Sequence, residues 1–488
     1  MTNTATYTGK VSFEKFYKGM GFLNDDPRIK FDEAHETITI TDRHNAKTKM
    51  VIHVDDLDVG MGGITGTVTG AVITIAGKDA LKFAGLHADA SGLQAAAANS
   101  TALYQYLNEA VAGDGIGTGD KYANLFEVGE GGTATINAGG GDDQIFIWHN
   151  KNAVIDGGTG LDTLGFANFT GDIPEPSIGA TVNLATGIIS NPFGGDITVT
   201  GVENIIGTTK ADIIIGNDED NVIGDGLFDG GADQIDTKGG DDLVVLGLDS
   251  ENVSIDGGLG TDELRLSMID SSLTLDVSDP DNVVSSLGDV TIKGFEIYSV
   301  NTDYWPTGFQ TFTFTGSDAA EIVYGVTAPN TNGQATIVRD RLHGGGGSDI
   351  LYGRGGYDQL WGDDNDDTLV GGEGADQLEG GAGADTFLYL KPIDAHKVGL
   401  AHDYVTDFSH AEGDIFDLHA IDANSKAKGN QNFKFIGDSN FHHKAGELHY
   451  VVFDTYVDIE GDRNGNGKAD FSIAVENIAS LVKGDFHL

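Results

Sequence analysis

Residues 335–388 form six nonapeptides without a gap, and this repeat constrains the fold more than any other stretch of the chain. In each nonapeptide the sixth residue is aspartate and the eighth is a large apolar residue. Glycine recurs before the aspartate, because a backbone that turns sharply needs positive φ angles, which glycine adopts without strain. One apolar residue per repeat can then point inward from a short strand. The spacing therefore predicts stacked coils with parallel strands, which is the nonapeptide β-helix pattern.

Stacking also aligns one carboxylate per turn into columns of like charge, which repel one another at neutral pH. A hard divalent cation held by carboxylates and turn carbonyls removes this repulsion, and a set of roughly six to eight oxygen ligands suits calcium. The repeat therefore predicts several bound Ca²⁺ ions. Its position-six residues are Asp340, Asp349, Asp358, Asp367, Asp376 and Asp385.

Degenerate nonapeptides with strand-rich insertions extend the pattern upstream, over residues 138–265. Asparagine replaces aspartate at position six once, at Asn221. We interpret residues 138–334 as a degenerate, interrupted solenoid. Below, the "regular roll" is residues 335–388, and the "interrupted repeats" are the degenerate nonapeptides of 138–265. The predicted metal ligands of the interrupted repeats are Asp143, Asp162, Asp212, Asp233, Asp242 and Asp262.

The charge of the chain limits its partners. With 28 lysine and arginine residues against 76 aspartate and glutamate residues, the formal net charge is −48. Nucleic acid and anionic membranes would be repelled, so neither is expected as a partner. The hydrophobic fraction of 39% can bury a core, which argues against disorder of the whole chain.

The compartment is indicated by calcium rather than by a targeting segment. The sequence has no cysteine, which excludes disulfides and thiolate metal sites. Its first residues lack the basic and apolar regions of a cleaved signal peptide, and no apolar run is long enough to span a membrane. Weak calcium sites of this kind fill at about 10⁻⁴–10⁻³ M, as in extracellular modules. We therefore expect an extracellular or cell-surface protein.

Residues 1–137 carry no nonapeptides and are expected to form a capping domain of mixed α/β structure, because the first coil of a solenoid exposes its core unless it is covered. A binding or catalytic module is the alternative for this domain. Residues 113–120 are interpreted as a linker into the solenoid. The patterns predict strands at 36–41 and 50–54, a hairpin pair at 63–75, and helices at 91–98 and 102–111.

Motifs of common catalytic classes are incomplete or absent. The pair His35-Glu36 begins a zinc-protease H-E-x-x-H, but Thr39 stands where the second histidine is required. The sequence contains no G-x-S-x-G nucleophile elbow and, without cysteine, no thiol nucleophile. We therefore predict that the protein is not an enzyme.

The tail, residues 389–488, changes to alternating strand patterns and is expected to form a β-rich cap. Residues 462–470 resemble the first part of an EF-hand loop, but Ile473 replaces the glutamate that would be the bidentate ligand. A tight turn and a weak calcium site both remain open for this loop. Eight of the 14 histidines lie in the tail. Without a carboxylate at metal-ligand spacing, we interpret them as surface residues, His442, His443 and His449 included.

The nonapeptides resemble those of the repeats-in-toxin (RTX) family, whose members are exported by Gram-negative bacteria. The resemblance is close in the regular roll and looser in the interrupted repeats. The phrases VNLATG at 182–187 and VENIIGT at 202–208 are also similar to phrases of this family.

The tail is similar to the segment that follows the β-roll in serralysin-type proteases. The similarity rests on Asp407-Phe408, Gly413-Asp414-Ile415 and residues 462–471. The protease half of those proteins has no counterpart in this sequence, so protease activity is not implied.

The family resemblance implies a fold class, an export route and a set of ligands. The fold is an all-β, calcium-binding parallel β-roll, or β-solenoid. Export is by a type I secretion apparatus that reads an uncleaved C-terminal signal, and residues 483–488 are similar to such signals. The position-six aspartates and the carbonyls of the glycine-rich turns are implied to bind calcium. This adds the turn residues Gly345, Gly347, Gly356, Asn365, Gly372, Gly374, Gly381 and Gly383 to the predicted ligands.

We therefore expect a secreted, non-catalytic protein that folds outside the cell when calcium binds. Its expected role is structural or adhesive at the cell surface or in matrix, as a surface-layer, biofilm or filament subunit. Such a protein would assemble with itself or bind cell-surface or matrix polysaccharide. The alternative is a secreted enzyme that acts on polysaccharide or lipid and uses the repeats as its export and folding module.

Overall fold

The structure is a computed structural model that divides into two compact units, residues 1–242 and 243–488. It describes the backbone of residues 3–7, 28–32, 37–41, 49–60, 63–75, 78–89, 115–119 and 125–128. It further describes residues 133–147, 152–166, 176–224, 231–247, 252–267, 272–279, 283–286, 290–301, 309–326, 337–392, 394–395 and 402–488.

Strands form nearly all of the regular structure in these residues, which confirms the predicted all-β class. The helical content of the described residues is one 3₁₀ turn, Lys483–Asp485. None of the helices described is long and apolar enough to cross a membrane. The helices predicted at 91–98 and 102–111 lie outside the described residues.

The strands of the first unit are mostly short, as the frequent turns require. In chain order they are β1 (Asn3–Tyr7), β2 (Arg28–Asp32), β3 (Thr37–Thr41), β4 (Lys49–Gly60), β5 (Gly63–Ile75), β6 (Lys78–Asp89), β7 (Gly115–Thr118), β8 (Leu125–Val128), β9 (Thr133–Asn137), β10 (Gln144–Ile147), β11 (Asn152–Asp156), β12 (Thr163–Gly165), β13 (Thr181–Asn183), β14 (Ile188–Ser190), β15 (Asp196–Thr200), β16 (Asn204–Ile206), β17 (Ile213–Asn217), β18 (Val222–Gly224) and β19 (Gln234–Lys238).

The first unit changes from antiparallel to parallel pairing. Strands β2, β3, β4, β5, β6 and β1 form an antiparallel series, and β1 continues in parallel through β7, β9, β11 and β15. A second parallel series contains β8, β10, β12, β16 and β18. Parallel pairing therefore begins at β7, inside the stretch interpreted as a linker.

Strand β5 differs from the predicted hairpin pair, because it is one continuous strand. It pairs with β4 on one side and with β6 on the other. The register with β6 shifts between Val68 and Gly70. An irregularity of this kind accommodates a glycine within a strand without turning the chain back.

The strands of the second unit follow the same short pattern. In chain order they are β20 (Leu243–Leu246), β21 (Ser254–Asp256), β22 (Glu263–Ser267), β23 (Ser272–Asp276), β24 (Val284–Ser285), β25 (Thr291–Lys293), β26 (Ile297–Asn301), β27 (Phe309–Thr315), β28 (Ile322–Tyr324), β29 (Ile337–Val338), β30 (Arg341–Gly345), β31 (Ile350–Tyr352), β32 (Gly355–Gly356), β33 (Gln359–Asp364), β34 (Thr368–Val370), β35 (Glu373–Gly374), β36 (Gln377–Ala382), β37 (Thr386–Leu388), β38 (Tyr404–Val405), β39 (Ile415–Asp417), β40 (Lys434–Phe435), β41 (Glu447–Val452), β42 (Tyr456–Asp462), β43 (Phe471–Glu476) and β44 (Phe486–His487).

Two long parallel series organise the second unit. One contains β20, β22, β26, β28, β31, β34, β37, β39 and β44. The other contains β23, β27, β30, β33, β36, β38 and β43, and it continues in antiparallel fashion through β42 and β41.

Successive nonapeptides of the regular roll alternate between these two series, so one coil takes two repeats. Leu342 pairs with Leu360, and Leu360 pairs with Leu378. The position-eight residues of the other three repeats pair in the same way in the other series. All six of these side chains are at most 1% exposed. The apolar residue at position eight therefore forms the core, as the repeat predicts.

From the second nonapeptide of the regular roll onward, the turns place positive-φ backbone at positions two and four, except at Gly356, the position-four residue of the repeat that begins at Gly353, which lies in strand β32. Gly345 and Gly347 have φ angles of 96° and 106°. Where the sequence has no glycine, Asp363 and Asn365 adopt the same region with φ angles of 74° and 80°, which asparagine and aspartate tolerate better than most residues. The same conformation recurs at Gly372, Gly374, Gly381 and Gly383, and in the interrupted repeats at Gly139, Gly141, Gly158 and Gly160.

Candidate metal sites

The position-six carboxylates of the second unit form two buried columns. Each member after the first accepts, on Oδ1, a hydrogen bond from the backbone N–H of the column member one coil earlier, as from Asp340 to Asp358 at 2.8 Å. All members are at most 4% exposed. The 340 column contains Asp340, Asp358, Asp376 and Asp403; the 349 column contains Glu321, Asp349, Asp367, Asp385 and Asp414.

This hydrogen bond explains why a short carboxylate stands at position six. The carbonyl of that residue enters the sheet ladder, as when Gln359 N–H donates to Asp340 O at 2.9 Å. Its N–H lies just before the strand, where the ladder offers no acceptor. The aspartate of the next coil supplies that acceptor, and a buried backbone donor is thereby satisfied.

The second carboxylate oxygen, Oδ2, is in a different situation in the regular roll. It is buried, and no donor in the described part of the chain hydrogen-bonds to it. Leaving a buried charged oxygen without a partner is strongly unfavourable, so these atoms call for a cation or a proton. This applies to Asp349, Asp358, Asp367, Asp376 and Asp385.

Glycine at position one leaves room for this oxygen. A Cβ atom on Gly353 would stand 2.8 Å from Asp358 Oδ2 and 2.6 Å from the carbonyl oxygen of Gly371. Two oxygens therefore converge on space that any side chain would fill, and the same arrangement recurs at Gly344 and Gly362. The positive φ angles of the turns are one reason for the glycines of the repeat. At position one, the space beside the carboxylate is a second reason.

These donor atoms fit calcium. Carboxylate and carbonyl oxygens are the ligands of hard cations, and the columns present oxygen only. The residues that would hold Ca²⁺ are the five aspartates with an unsatisfied Oδ2, together with turn carbonyls such as that of Gly371. When bound, the ion would supply the positive charge that the columns lack.

Burial and mutual repulsion raise the pKa values of the columns. Burial, reinforced by the charges of Asp340 and Asp376, raises the pKa of Asp358 to about 9. Burial raises the pKa of Asp367 to about 8; the hydrogen bond from Asp349 opposes the shift, and the charges of Asp349 and Asp385 add to it. Without a cation, the folded columns therefore hold protons near neutral pH that an unfolded chain would release.

Two of the predicted ligands, Asp340 and Asp212, have protein donors on both oxygens. Asp340 accepts the N–H of Phe312 on Oδ1 at 2.8 Å and that of Val326 on Oδ2 at 2.7 Å. In the first unit, Asp212 accepts the Thr208 N–H on Oδ2 at 2.7 Å and the Thr208 hydroxyl on Oδ1 at 2.9 Å. These two carboxylates are therefore weaker calcium candidates than the sequence suggests, because hydrogen bonds already stabilise both oxygens.

Carboxylates of the interrupted repeats also accept a hydrogen bond from a backbone N–H, but the paired residues are less regularly spaced along the chain. Asp143 N–H donates to Asp162 Oδ1 at 2.8 Å. Asp162 N–H in turn donates to Glu203 at 2.8 Å, so a glutamate continues the pattern. Every predicted ligand of these repeats is at most 2% exposed: Asp143, Asp162, Asp212, Asp233, Asp242 and Asp262.

Several column members were missed by the sequence analysis. The signal for Glu321 was present, because residues 316–324 are a nonapeptide with Gly316 at position one and Val323 at position eight. Glutamate in place of aspartate at position six obscured it. The unassigned carboxylates that accept a backbone N–H from a repeat are Glu203, Glu296, Asp403 and Asp414, whereas Glu321 joins its column by donating its own N–H to Asp349.

The EF-hand-like loop at 462–470 is a tight turn. The Asp462 carboxylate accepts the backbone N–H groups of Gly465 at 2.6 Å and Gly467 at 2.7 Å. Asp470 accepts those of Arg463 at 2.8 Å and Asn464 at 3.1 Å. Because backbone donors occupy both carboxylates, the structure favours the tight turn over the weak calcium site.

The tail histidines are not all surface residues. His442 and His443 are exposed, as predicted. His449 is 4% exposed, and its Nε2 lies 2.9 Å from Glu460, so the surface interpretation is wrong for that residue. A strand pairing that the sequence does not show brings Glu460 beside it.

Comparison with known proteins agrees with this geometry. Residues 197–224, 339–360 and 361–389 match the family described as RTX calcium-binding nonapeptide repeat (4 copies). No curated protein matches the chain. Among solved structures, the AlgE6R3 subunit from the Azotobacter vinelandii mannuronan C5-epimerase is 27% identical over 36% of this chain and 80% of that chain, with a TM-score of 0.18, too low to compare the folds. The chain thus carries RTX calcium-binding nonapeptide repeats in both of its units.

Proposed function

We propose that this protein is a secreted, non-catalytic RTX protein whose repeats fold outside the cell when calcium binds. The folded chain then has a structural or adhesive role at the cell surface or in the extracellular matrix. One observation carries the calcium switch: the buried carboxylate columns, in which Oδ2 of five aspartates of the regular roll lacks a donor among the described residues.

The switch follows from the electrostatics of these columns. At neutral pH the unfolded chain is ionised and well solvated, whereas the metal-free roll must either keep protons or bury like charges. Calcium that binds only the folded form stabilises it by about 2.7 kcal/mol per site when free calcium exceeds the dissociation constant a hundredfold. Sites that fill near millimolar calcium stay empty in the cytosol, so the chain remains unfolded and competent for export.

Circular dichroism tests the switch directly. A chelator should remove the β signal of the purified protein, and millimolar calcium should restore it. Magnesium at the same concentration is the control, because it requires near-octahedral geometry and gives up its water reluctantly. A spectrum that chelation leaves unchanged would contradict the proposal.

Two considerations support the structural role. The sequence lacks a complete motif of the common catalytic classes, and a net charge of −48 offers many carboxylates through which calcium could bridge copies of the chain. Family resemblance supports export by a type I apparatus. Electron microscopy with and without calcium should therefore show ordered lattices or filaments that depend on calcium. Monodisperse particles that turn over a polysaccharide or lipid would favour the enzyme alternative instead.

A further inference from the structure

Two histidines and one aspartate meet beside the β39–β44 strand pair of the second unit. These strands are parallel, and Asp417 is the register partner of His487. The N–H of Leu418 donates to the carbonyl of His487 at 2.9 Å, which fixes this register. His419 follows in the turn after β39. We refer to Asp417, His419 and His487 as the histidine cluster.

The polar atoms of the cluster are close enough to share one ion. Nδ1 of His419 lies 2.6 Å from Asp417 Oδ1, and Nδ1 of His487 lies 2.9 Å from Asp417 Oδ2. One ligand atom from each residue lies within 4.8 Å of the other two. Ligand atoms around a tetrahedral zinc ion stand roughly 3.4 Å apart, given bonds of about 2.1 Å. Small rotations of the rings therefore suffice to bring all three ligands to one ion.

The surroundings bury the carboxylate and leave the rings exposed. The side chain of Asp417 is 14% exposed, whereas those of His419 and His487 are 54% and 57% exposed. Tyr389 N–H donates to Asp417 O at 3.0 Å, which ties Asp417 into the sheet on its other side. The exposed rings also leave room for water to complete the coordination of an ion.

The cluster differs from the other histidine–carboxylate pairs of the described tail. Two imidazoles whose ring centroids lie 4.7 Å apart share the single carboxylate of Asp417. The other pairs involve one imidazole each, such as His442 with Glu447 at 3.1 Å. Two imidazole nitrogens and one carboxylate that face one another form a set that a divalent ion can bind.

We infer that the histidine cluster binds one divalent transition-metal ion, with zinc as the best match. Two imidazole nitrogens, one carboxylate oxygen and a water are a ligand set that zinc accepts. Calcium prefers oxygen ligands only, so this site differs in chemistry from the carboxylate columns. Because the ligands come from β39, the turn after it and β44, the ion would fasten the last strand to the sheet.

The test is a zinc titration of the full chain by calorimetry, in saturating calcium so that the columns are occupied and the roll is folded. One zinc site is expected, and His419→Ala and His487→Ala should each weaken it at least about tenfold. His442→Ala is the matched control, because it removes an equally exposed histidine that faces one carboxylate. It should leave the affinity unchanged.

A second measurement separates zinc binding from general effects on the fold. Zinc should slow hydrogen exchange of the Leu418 amide, which donates to His487, in the wild-type chain but not in His419→Ala. The inference is overturned if zinc binds the two cluster variants as tightly as the wild type. It is also overturned if His442→Ala loses the same site, or if the wild type shows no site at all.

Discussion

The regular roll and the interrupted repeats share one hydrogen bond, and both contain carboxylates whose second oxygen lacks a donor. Oδ2 of Asp358 in the regular roll and Oδ2 of Asp162 in the interrupted repeats have no donor in the described residues. The interrupted repeats also contain positions of another kind: Thr208 donates to both oxygens of Asp212, and position six of another repeat is the neutral Asn221. A column of position-six residues can thus be stabilised by hydrogen bonds or by calcium. Asp358 depends on calcium, whereas Asp212 has its donors within the protein.

The largest expected effect is that low pH stabilises the regular roll without calcium, because protons neutralise the buried carboxylates. The pKa values of Asp385 and Asp358 are raised from 3.8 to about 6 and about 9, in both cases chiefly by burial. As the pH rises above about 4, the unfolded chain therefore loses protons first, and the metal-free fold loses stability until the folded groups ionise. Lowering the pH from about 8 to about 5 in a chelator should restore the β signal measured by circular dichroism.

Calcium should reverse the sign of this dependence, because protons compete with the ion for the same oxygens. Acid should therefore weaken calcium binding while it stabilises the metal-free roll. Amide hydrogen exchange can locate these pH effects. The change in exchange rate with pH should be larger at the amide of Asp358 than at that of Asp212, because Thr208 already supplies donors to the Asp212 carboxylate. If acid only unfolds the chelated protein, the columns are not what destabilises it.

The next largest effect is expected from a methyl group placed in the space beside a carboxylate. In Gly353→Ala the new Cβ would meet Asp358 Oδ2 at 2.8 Å and Gly371 O at 2.6 Å. Overpacking of this kind costs about 1–3 kcal/mol. We expect that loss of stability in denaturant titrations, together with a higher calcium midpoint in circular dichroism.

Gly224→Ala is the matched control in the interrupted repeats, because a Cβ there meets no atom of the described residues within 4 Å. It should change neither stability nor the calcium midpoint appreciably. Equal effects of the two substitutions would mean that position-one glycine serves the backbone and not the carboxylate.

A smaller effect, of opposite sign with and without calcium, is expected for Asp358→Asn. Asparagine still accepts the N–H of Asp340 but carries no charge, so repulsion within the 340 column falls. In a chelator the thermal midpoint should rise, by an amount corresponding to about 1 kcal/mol, whereas in calcium the affinity should fall. Asp318→Asn, at an exposed position of the turn before Glu321, should change neither the thermal midpoint nor the calcium affinity. A lower midpoint of Asp358→Asn in the chelator would show that its charge is already compensated by the protein.

The sequence predicts the coil well, because each of its requirements is local. Positive φ angles at Gly345 and Gly347 and burial of Leu342 follow from positions within one nonapeptide. Parallel pairing follows from the regular repetition of that unit. The same reasoning reaches the interrupted repeats wherever aspartate and glycine keep their spacing.

What the sequence does not predict depends on long-range pairing. Asp403 follows Asp376 by 27 residues instead of the regular 18, so the column continues out of frame. His487 reaches Asp417 across 70 residues through the β39–β44 pairing. No local spacing encodes either contact. For His419 the carboxylate of Asp417 stands only two residues away in the sequence, and its interpretation as a surface residue without a carboxylate overlooked that spacing.

An effect of comparable size is expected from converting an interrupted repeat toward the regular one, with Asn221→Asp. The Asn221 amide donates to Glu203 O at 2.9 Å and to Asn217 Oδ1 at 3.1 Å. A carboxylate would face both oxygens without a donor, which should destabilise the chelated protein by about 1–2 kcal/mol. Calcium should recover part of this loss, because the new oxygen joins a set that a hard cation can bind. Thermal melts with and without calcium measure both quantities.

The matched control for this change is Asn152→Asp, at an exposed site where the side-chain oxygen accepts Asp196 N–H at 2.8 Å. Aspartate keeps that bond, so the control should melt like the wild type in both conditions. Recovery of Asn221→Asp by calcium would mean that the position-six residue decides whether this repeat uses calcium. If calcium recovers nothing, position-six aspartate alone does not create a site, and the dependence of the regular roll on calcium also requires its uninterrupted glycine turns.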